Sequence, residues 1–388
     1  MNRFTIPRDI FFGENALEKL KELEGKKAAV VIGGGSVKKS GHLDTILSHL
    51  SEAGIESKVV EGFDGEPTVQ TARDQARHLR DFEPDWIIGV GGGSPMDAAK
   101  AMWIFYEYPD IAFEETIEPF NLPPLRKKAK FIGIPTTSGT ASEISNLSVI
   151  TDGDTGVKYP IASFELTPDL AIIDPVMVED LPHKLIAYSG MDAVTHSIES
   201  YVAKPRTVFT DSLAIEAAEI LKDHLVSSYN GSKESREKVH YAQAMAGMAF
   251  SNAVLGNVHS MAHKSGPTFE IPHGCANGIY LPYVIQFNRT VSADRFASIA
   301  KRLGLDGENS EELTDSLIEW VRSMNKQMNV PNSLKEYGVS EELFTKHADE
   351  MAKNALEDPC TSTNPRETSH EEMKKLFHAA YYGEDVTF

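Results

Sequence analysis

His259, His263 and His273 crowd three of the chain's thirteen histidines into the stretch HSMAHKSGPTFEIPHG. Imidazole titrates near neutral pH and is the commonest side-chain ligand for metals. His259 and His263 stand four apart, so a helix would stack them on one face, one turn above the other. The HExxH pattern of zinc proteases does not fit, because Ser260 occupies the place of the general-base glutamate. Upstream, GMDAVTHSIESY holds a second pair at the same spacing, Asp192 and His196. Taken singly, each of these residues has a plain alternative role as a capping carboxylate or a satisfied core imidazole. Two such pairs in one half of the chain point instead to a common centre. Asp192, His196, His259 and His273 would supply a carboxylate and three imidazoles, a set suited to Fe2+ or Zn2+.

A second group of motifs suits phosphate. In GGGSPMDAAK (91–100) a strand runs through Gly91, Gly92 and Gly93 into a helix. Ser94 is expected to cap that helix, with Pro95 at its first position and Asp97 closing a capping box. Glycines there let a ligand approach the backbone, and the free N–H groups of the helix start form an anion site. A tight turn with no ligand is the alternative, and the order matches neither GxGxxG nor a P-loop. GGGSVKK (33–39) ends an earlier strand. A fold preferring NAD would place a carboxylate there to grip the ribose hydroxyls. Gly34, Gly35, Ser36 and Lys39 offer space, a hydroxyl and a cation instead, which favours a 2′-phosphate and hence NADPH. Lys38 and Lys39 also read as ordinary surface lysines. PTTSGTASE (135–143) adds Thr136, Thr137 and Thr140, whose hydroxyls could meet a nicotinamide or its phosphates.

The texture of the chain says what positions these groups. KKAAVVIGGG (26–35), ESKVVEGF (56–63), DWIIGVGGGS (85–94), KFIGIPTTSGT (130–140) and LAIIDP (170–175) read as strands. Helical patterns over about 41–53, 68–82 and 95–108 alternate with them. That alternation predicts a parallel, doubly wound α/β sheet. Beyond Pro175 the β-branched runs stop, and long amphipathic patterns such as TDSLAIEAAEILKDHLVSSY predict an all-helical second half. Two domains are expected, 1–180 and 181–388, in keeping with a length too great for one ordinary core. There are 57 acidic and 38 basic residues, a net charge of −19. Such a surface repels nucleic acid and anionic membranes. Two cysteines and the lack of a long apolar N-terminal segment lead to the expectation of a reducing, cytoplasmic setting.

Along nearly its whole length the chain resembles the iron-containing (group III) alcohol dehydrogenases. GGGSPMDAAK, TTSGTASE, GMDAVTHSIE, HSMAH and IPHG occur in the family's order. DAAKAMWIFYEYP and AHKSGPTFEIPHGCAN bring the likeness nearest to the bacterial butanol/ethanol dehydrogenase branch and to the dehydrogenase half of bifunctional aldehyde–alcohol dehydrogenases. The resemblance implies a dinucleotide-binding α/β domain, a helical metal-binding domain, a catalytic cleft between them, and a homodimer. By motif position Asp192, His196, His259 and His273 look like the metal ligands. Asp192 and His263 are then the catalytic candidates, with His263 unligated beside the nicotinamide. Gly92, Gly93 and Ser94 are implied to hold the pyrophosphate, aided by Thr136, Thr137, Thr140 and Lys158.

The activity so implied is a metal-dependent, NADP(H)-linked alcohol dehydrogenase working mainly as a reductase of short- to medium-chain primary aldehydes. NAD(H) and zinc belong to a competing, glycerol- or diol-dehydrogenase-like reading, against which four intact ligand positions speak. A dehydroquinate-synthase-like enzyme would need many more basic phosphate-binding residues. A silent metal- or nucleotide-binding protein would be expected to lack part of the constellation. Some positions depart from the family: Glu66 replaces an Asn or Asp, and Asn146–Leu147 replace a more usual Ala-Phe. These two, with Phe250 and Cys360, are pocket-wall candidates.

Overall fold

The computed structural model describes residues 3–63, 67–154 and 156–388, so Glu66 lies outside the described residues. The chain divides after Asp180 into two compact units. The first contains β1 (Asp9–Phe12), β2 (Lys27–Ile32), β3 (Glu56–Val60), β4 (Trp86–Gly91), β5 (Lys130–Pro135), β6 (Leu147–Thr151), β7 (Lys158–Ala162) and β8 (Leu170–Ile173). Its helices are α1 (Ser36–Lys39), α2 (His42–Glu52), α3 (Val69–Phe82), α4 (Gly93–Glu107) and α5 (Phe113–Thr116). Six strands form one parallel sheet in the order β1-β8-β5-β4-β2-β3, while β6 and β7 make a separate antiparallel hairpin.

Period-two alternation builds this sheet. Ala29, Val31, Ile87 and Phe131 enter one apolar cluster with α3 and α4. Ala28, Val30, Ile32, Ile88, Val90 and Ile132 enter another with α2. Both faces are therefore covered, which is why the strands read as continuous hydrophobic runs. The chain steps from β2 outward to β3 and then back across to β4. Such a reversal opens a crevice at the strands' carboxyl ends, the usual ligand position in open α/β sheets.

The expected cap of α4 is corrected. Gly92, not Ser94, is its N-cap, and no side chain caps it. Gly91, at φ +153°, lets the chain turn into the helix two residues early. Asp97 is drawn elsewhere: its Oδ2 accepts from Val149 N (3.1 Å), and its carbonyl accepts from Ser148 Oγ (2.8 Å). One turn on, fully buried Lys100 donates Nζ to the carbonyls of Ser145 (2.6 Å) and Leu147 (2.9 Å). Burial lowers its pKa to about 8, opposed by the charges of Asp97 and Glu143. Helix α4 is thus fastened to the backbone on both sides of Asn146.

The second unit is helical: α6 (His183–Val202), α7 (Val208–Tyr229), α8 (Lys233–Ala253), α9 (Asn257–Phe269), α10 (His273–Arg302), α11 (Ser310–Gln327), α12 (Leu334–Tyr337), α13 (Glu341–Leu356), α14 (Pro359–Thr363) and α15 (His370–Tyr382). Helix α6 packs against α7, α8 and α10, and its residues are buried on every side from Ser189 to Val202. A helix apolar all round needs no explanation in that place, but a polar one does. Thr195, Ser197 and Ser200 return their hydroxyls to carbonyls of the same helix. Asp192, His196 and Glu199 remain, at i, i+4 and i+7, as one buried polar stripe. Among the described residues no helix is long and apolar enough to cross a membrane.

Candidate functional site

The α6 stripe meets the starts of α9 and α10. Asp192 Oδ1 lies 3.5 Å from His196 Nε2, 3.6 Å from His259 Nε2 and 3.5 Å from His273 Nε2. A four-coordinate ion with bonds of about 2.1 Å separates its ligands by about 3.4 Å. Each imidazole nitrogen lies at about that distance from the carboxylate oxygen, and Asp192, His196 and His259 are also mutually close enough to share one divalent first-row cation, with His273 alongside them. Asp192, His196 and His259 are buried, whereas the His273 side chain is 42% exposed and approaches from the open side. Burial alone would raise the Asp192 pKa, but the imidazoles of His196, His273 and His259 outweigh it and hold the carboxylate ionised. Burial would likewise lower the His259 pKa, yet hydrogen bonds to Asp192 and Glu199 raise it to about 9. A centre that holds a proton this firmly without a cation exchanges it for one when metal binds.

The sequence reading missed the residues around these donors. Glu199 Oε2 accepts from His259 Nδ1 at 2.6 Å. Asn277, four after His273, donates Nδ2 to Asp192 Oδ1 (2.8 Å) and lies 3.2 Å from His259 Nε2 and 3.1 Å from His273 Nε2. Its Oδ1 is buried without a partner. Helical spacing from a neighbouring ligand was the available signal for both. Phe250 forms a wall, stacked 4.3 Å from the His196 ring.

His263 stands beside this centre and outside it. Its ring is 5.9 Å from that of His259 and stacks on His273 at 5.4 Å, while Nδ1 donates to Asp358 Oδ2 at 3.0 Å. Lys264 Nζ reaches the same oxygen at 3.0 Å. His263 and Lys264 hold the Asp358 carboxyl well below its usual range, against the pull of burial. Cys360 is close by, but burial and the Asp358 and Glu199 charges push its thiol up. A protonated thiol and a carboxylate already neutralised by Lys264 make poor metal ligands. This second cluster is a closed ion-pair network, and Cys360 is one of its packing members.

In the α/β unit the three candidate cofactor segments follow adjacent strands. Gly33 and Gly91 both lie against Pro95, where added Cβ atoms would approach within 2.5 and 2.8 Å of its ring. Those two glycines serve packing. Gly92 and Gly93 face Thr137 and Thr140, and Thr136 N donates to Gly91 O at 3.0 Å. Pro95 carries no N–H, so Gly93 and Ser94 present the leading amides of α4. Gly35 is the N-cap of α1, whose Ser36 and Lys39 follow β2. Lys38 pairs with Glu61 Oε1 at 2.5 Å, whereas the Lys39 stem runs past Gly35. Lys158 opens β7 opposite Thr151, Asn146 is buried, and Leu147 begins β6.

Residues 7–175 match the family described as "Iron-containing alcohol dehydrogenase", and residues 186–381 the "Fe-containing alcohol dehydrogenase family, C-terminal". An NADPH-dependent butanol dehydrogenase of Clostridium saccharobutylicum is 55% identical over 388 residues, covering all of both chains. The bifunctional aldehyde-alcohol dehydrogenase of Escherichia coli is 39% identical over 98% of this chain and 46% of its own. The solved iron-containing alcohol dehydrogenase of Thermococcus thioreducens superposes with a TM-score of 0.91 at 37% identity, covering 98% of this chain and all of the other. The chain belongs to the iron-containing alcohol dehydrogenase family.

Proposed function

We propose that this protein is an NADP(H)-dependent alcohol dehydrogenase that reduces short- to medium-chain primary aldehydes, with Fe2+ as its favoured metal and Zn2+ as a substitute. The observation that carries the reading is the ring of three imidazole nitrogens 3.5–3.6 Å from one Asp192 oxygen. Asp192, His196, His259 and His273 would hold the ion. When bound, it supplies Lewis acidity toward a carbonyl oxygen. A bound nicotinamide supplies the hydride.

The remaining work falls to side chains of the chain itself. Phe250 and the buried helix faces around His196 exclude water from the donor set. Asp358 accepts the hydrogen bond from His263 Nδ1–H and so orients the ring, whose protonated form hands its Nε2 proton to the product alkoxide and is re-protonated from solvent. In the α/β unit the Gly93 and Ser94 amides hold pyrophosphate, and Thr136, Thr137, Thr140 and Lys158 contact the rest of the cofactor. NADPH is favoured because Gly34, Gly35, Ser36 and Lys39 bring no carboxylate to the ribose and do bring a cation.

We place the enzyme in the cytoplasm as a homodimer, which the edge position of β1 and its exposed Phe12 support. Light scattering after size exclusion would test the dimer, and a monomer would refute it. The function is tested by butyraldehyde reduction with NADPH and with NADH, before and after removal and return of metal. Metal-requiring, NADPH-preferring turnover is expected. Unchanged turnover in stripped protein would overturn the assignment.

A further inference from the structure

Glu199 is 3% exposed, carries two carboxylate oxygens, and spends each on a different donor of α9. Oε1 accepts from Val258 N at 2.8 Å, and Oε2 from His259 Nδ1 at 2.6 Å. The N-cap of α9 is Gly256, which has no side chain to satisfy the first amides of the helix. Asn364 Oδ1 accepts from Asn257 N at 3.2 Å, and Glu199 takes the next amide. A Cβ on Gly256 would come within 2.8 Å of both Asn364 Oδ1 and Glu199 Oε1. The glycine therefore clears the space from which one carboxylate reaches amide and imidazole together.

We propose that Glu199 is a positioning residue for the metal: by accepting the His259 Nδ1 proton it fixes the tautomer and the ring angle that leave Nε2 for the ion. This rests on the metal reading given above. Imidazole binds metal through a deprotonated nitrogen, and the hydrogen bond made by the other nitrogen decides which one that is. Glutamine at 199 keeps the volume but offers one neutral acceptor oxygen and an N–H2. With the amide toward His259, Nδ1 must accept, and the proton moves to Nε2, where it blocks the metal. With the oxygen toward His259, the hold on Nδ1–H loses its charge and the Val258 amide faces an N–H2. Either orientation weakens the site.

The test titrates Zn2+ into metal-free wild type, Glu199→Gln, Gly256→Ala and His196→Ala, and records the absorption spectrum of each after loading with Co2+. Losing a partner of a metal-bound histidine weakens affinity typically ~10- to 100-fold. Glu199→Gln is expected to fall in that range with an altered cobalt spectrum, while NADPH quenching of protein fluorescence stays unchanged. Gly256→Ala, with every ligand and Glu199 itself retained, is expected to weaken Zn2+ in the same direction. It decides the matter if Glu199→Gln does not fold. Wild-type affinity and cobalt spectrum in the variants would overturn the proposal. Loss of zinc binding in His196→Ala, measured alongside, shows that the metal reading stands whatever Glu199 does; wild-type zinc affinity in His196→Ala would instead bring down that reading itself.

Discussion

Lys39→Ala separates the two lysines that follow β2 and tests the cofactor assignment where it is most exposed. Lys38 has its charge matched by Glu61 at 2.5 Å, so it has less to offer a phosphate. Lys39, one residue on, makes no ion pair among the described residues, and its stem passes 3.6 Å from the Cβ position of Gly35. Hydrogen bonds to charged groups contribute about 1.5–3 kcal/mol. Removing Lys39 should therefore weaken NADPH roughly 10- to 100-fold and leave NADH unaffected. Glu61→Gln runs the other way. Freeing Lys38 from an exposed pair worth about 0–1 kcal/mol should tighten NADPH by only a few-fold. Gly34→Asp should act as Lys39→Ala does. Gly34 lies outside the left-handed region, so aspartate fits its backbone. A carboxylate about 5 Å from a dianionic phosphate in water repels it by about 1.7 kcal/mol, near 20-fold. The assay is fluorescence quenching of metal-free protein by each cofactor, with kcat/KM on the loaded enzyme. Unchanged preference in Lys39→Ala, or a wild type that binds NADH more tightly, would show that the glycines only turn the chain and the lysines belong to solvent.

His263→Gln should retain metal yet lower turnover or shift its pH profile, whereas His259→Gln should lose metal; metal analysis of the two purified variants checks this, and the opposite pattern would exchange their roles. Lys100→Met leaves two captured carbonyls without their donor, which should destabilise the α/β unit by about 2–6 kcal/mol in thermal or urea unfolding. Buried His240 has its pKa lowered to about 3 by burial, so the unfolded chain binds a proton there that the folded chain refuses. Its contribution to stability is complete above pH about 6.5 and declines as pH falls toward 3, by up to ~1.4 kcal/mol per pH unit. The difference between wild-type and His240→Gln unfolding curves should show that slope, and a flat difference would refute it.

Much of this architecture was legible because hydrophobic periodicity reports directly on burial. The parallel strands buried on both faces announced themselves as apolar runs, and the amphipathic patterns after Pro175 announced helices. Strands β1, β6 and β7 did not: Asp9–Phe12, Leu147–Thr151 and Lys158–Ala162 are short and mix polar with apolar residues. The α4 cap was misplaced because S-x-x-D fits a capping box locally, while Asp97 is claimed by Val149, 52 residues away. At the site, pairs one helical turn apart were visible in the sequence. Partners from distant segments were not: Glu199 meets His259 across 60 positions, Asn277 meets Asp192 across 85, and Asp358 meets His263 across 95. Helical spacing marks Glu199 and Asn277 as neighbours of a ligand on their own helices, but which distant residue each one meets is set by the packing of α6 against α10, and of α9 against α10, α13 and α14.

The central claim is that Asp192, His196, His259 and His273 hold a metal the reaction requires. Metal content and NADPH binding, measured on the same samples of wild type and His196→Ala, test it most directly. Wild type should carry one divalent ion per chain. His196→Ala should lose it, with turnover down at least ~100-fold, as expected when a Lewis-acid contribution of several kcal/mol is lost. Fluorescence quenching by NADPH should persist in both, because its candidate residues lie mainly in the α/β unit. Full metal content in His196→Ala, or near-normal turnover of metal-free wild type, would contradict the claim.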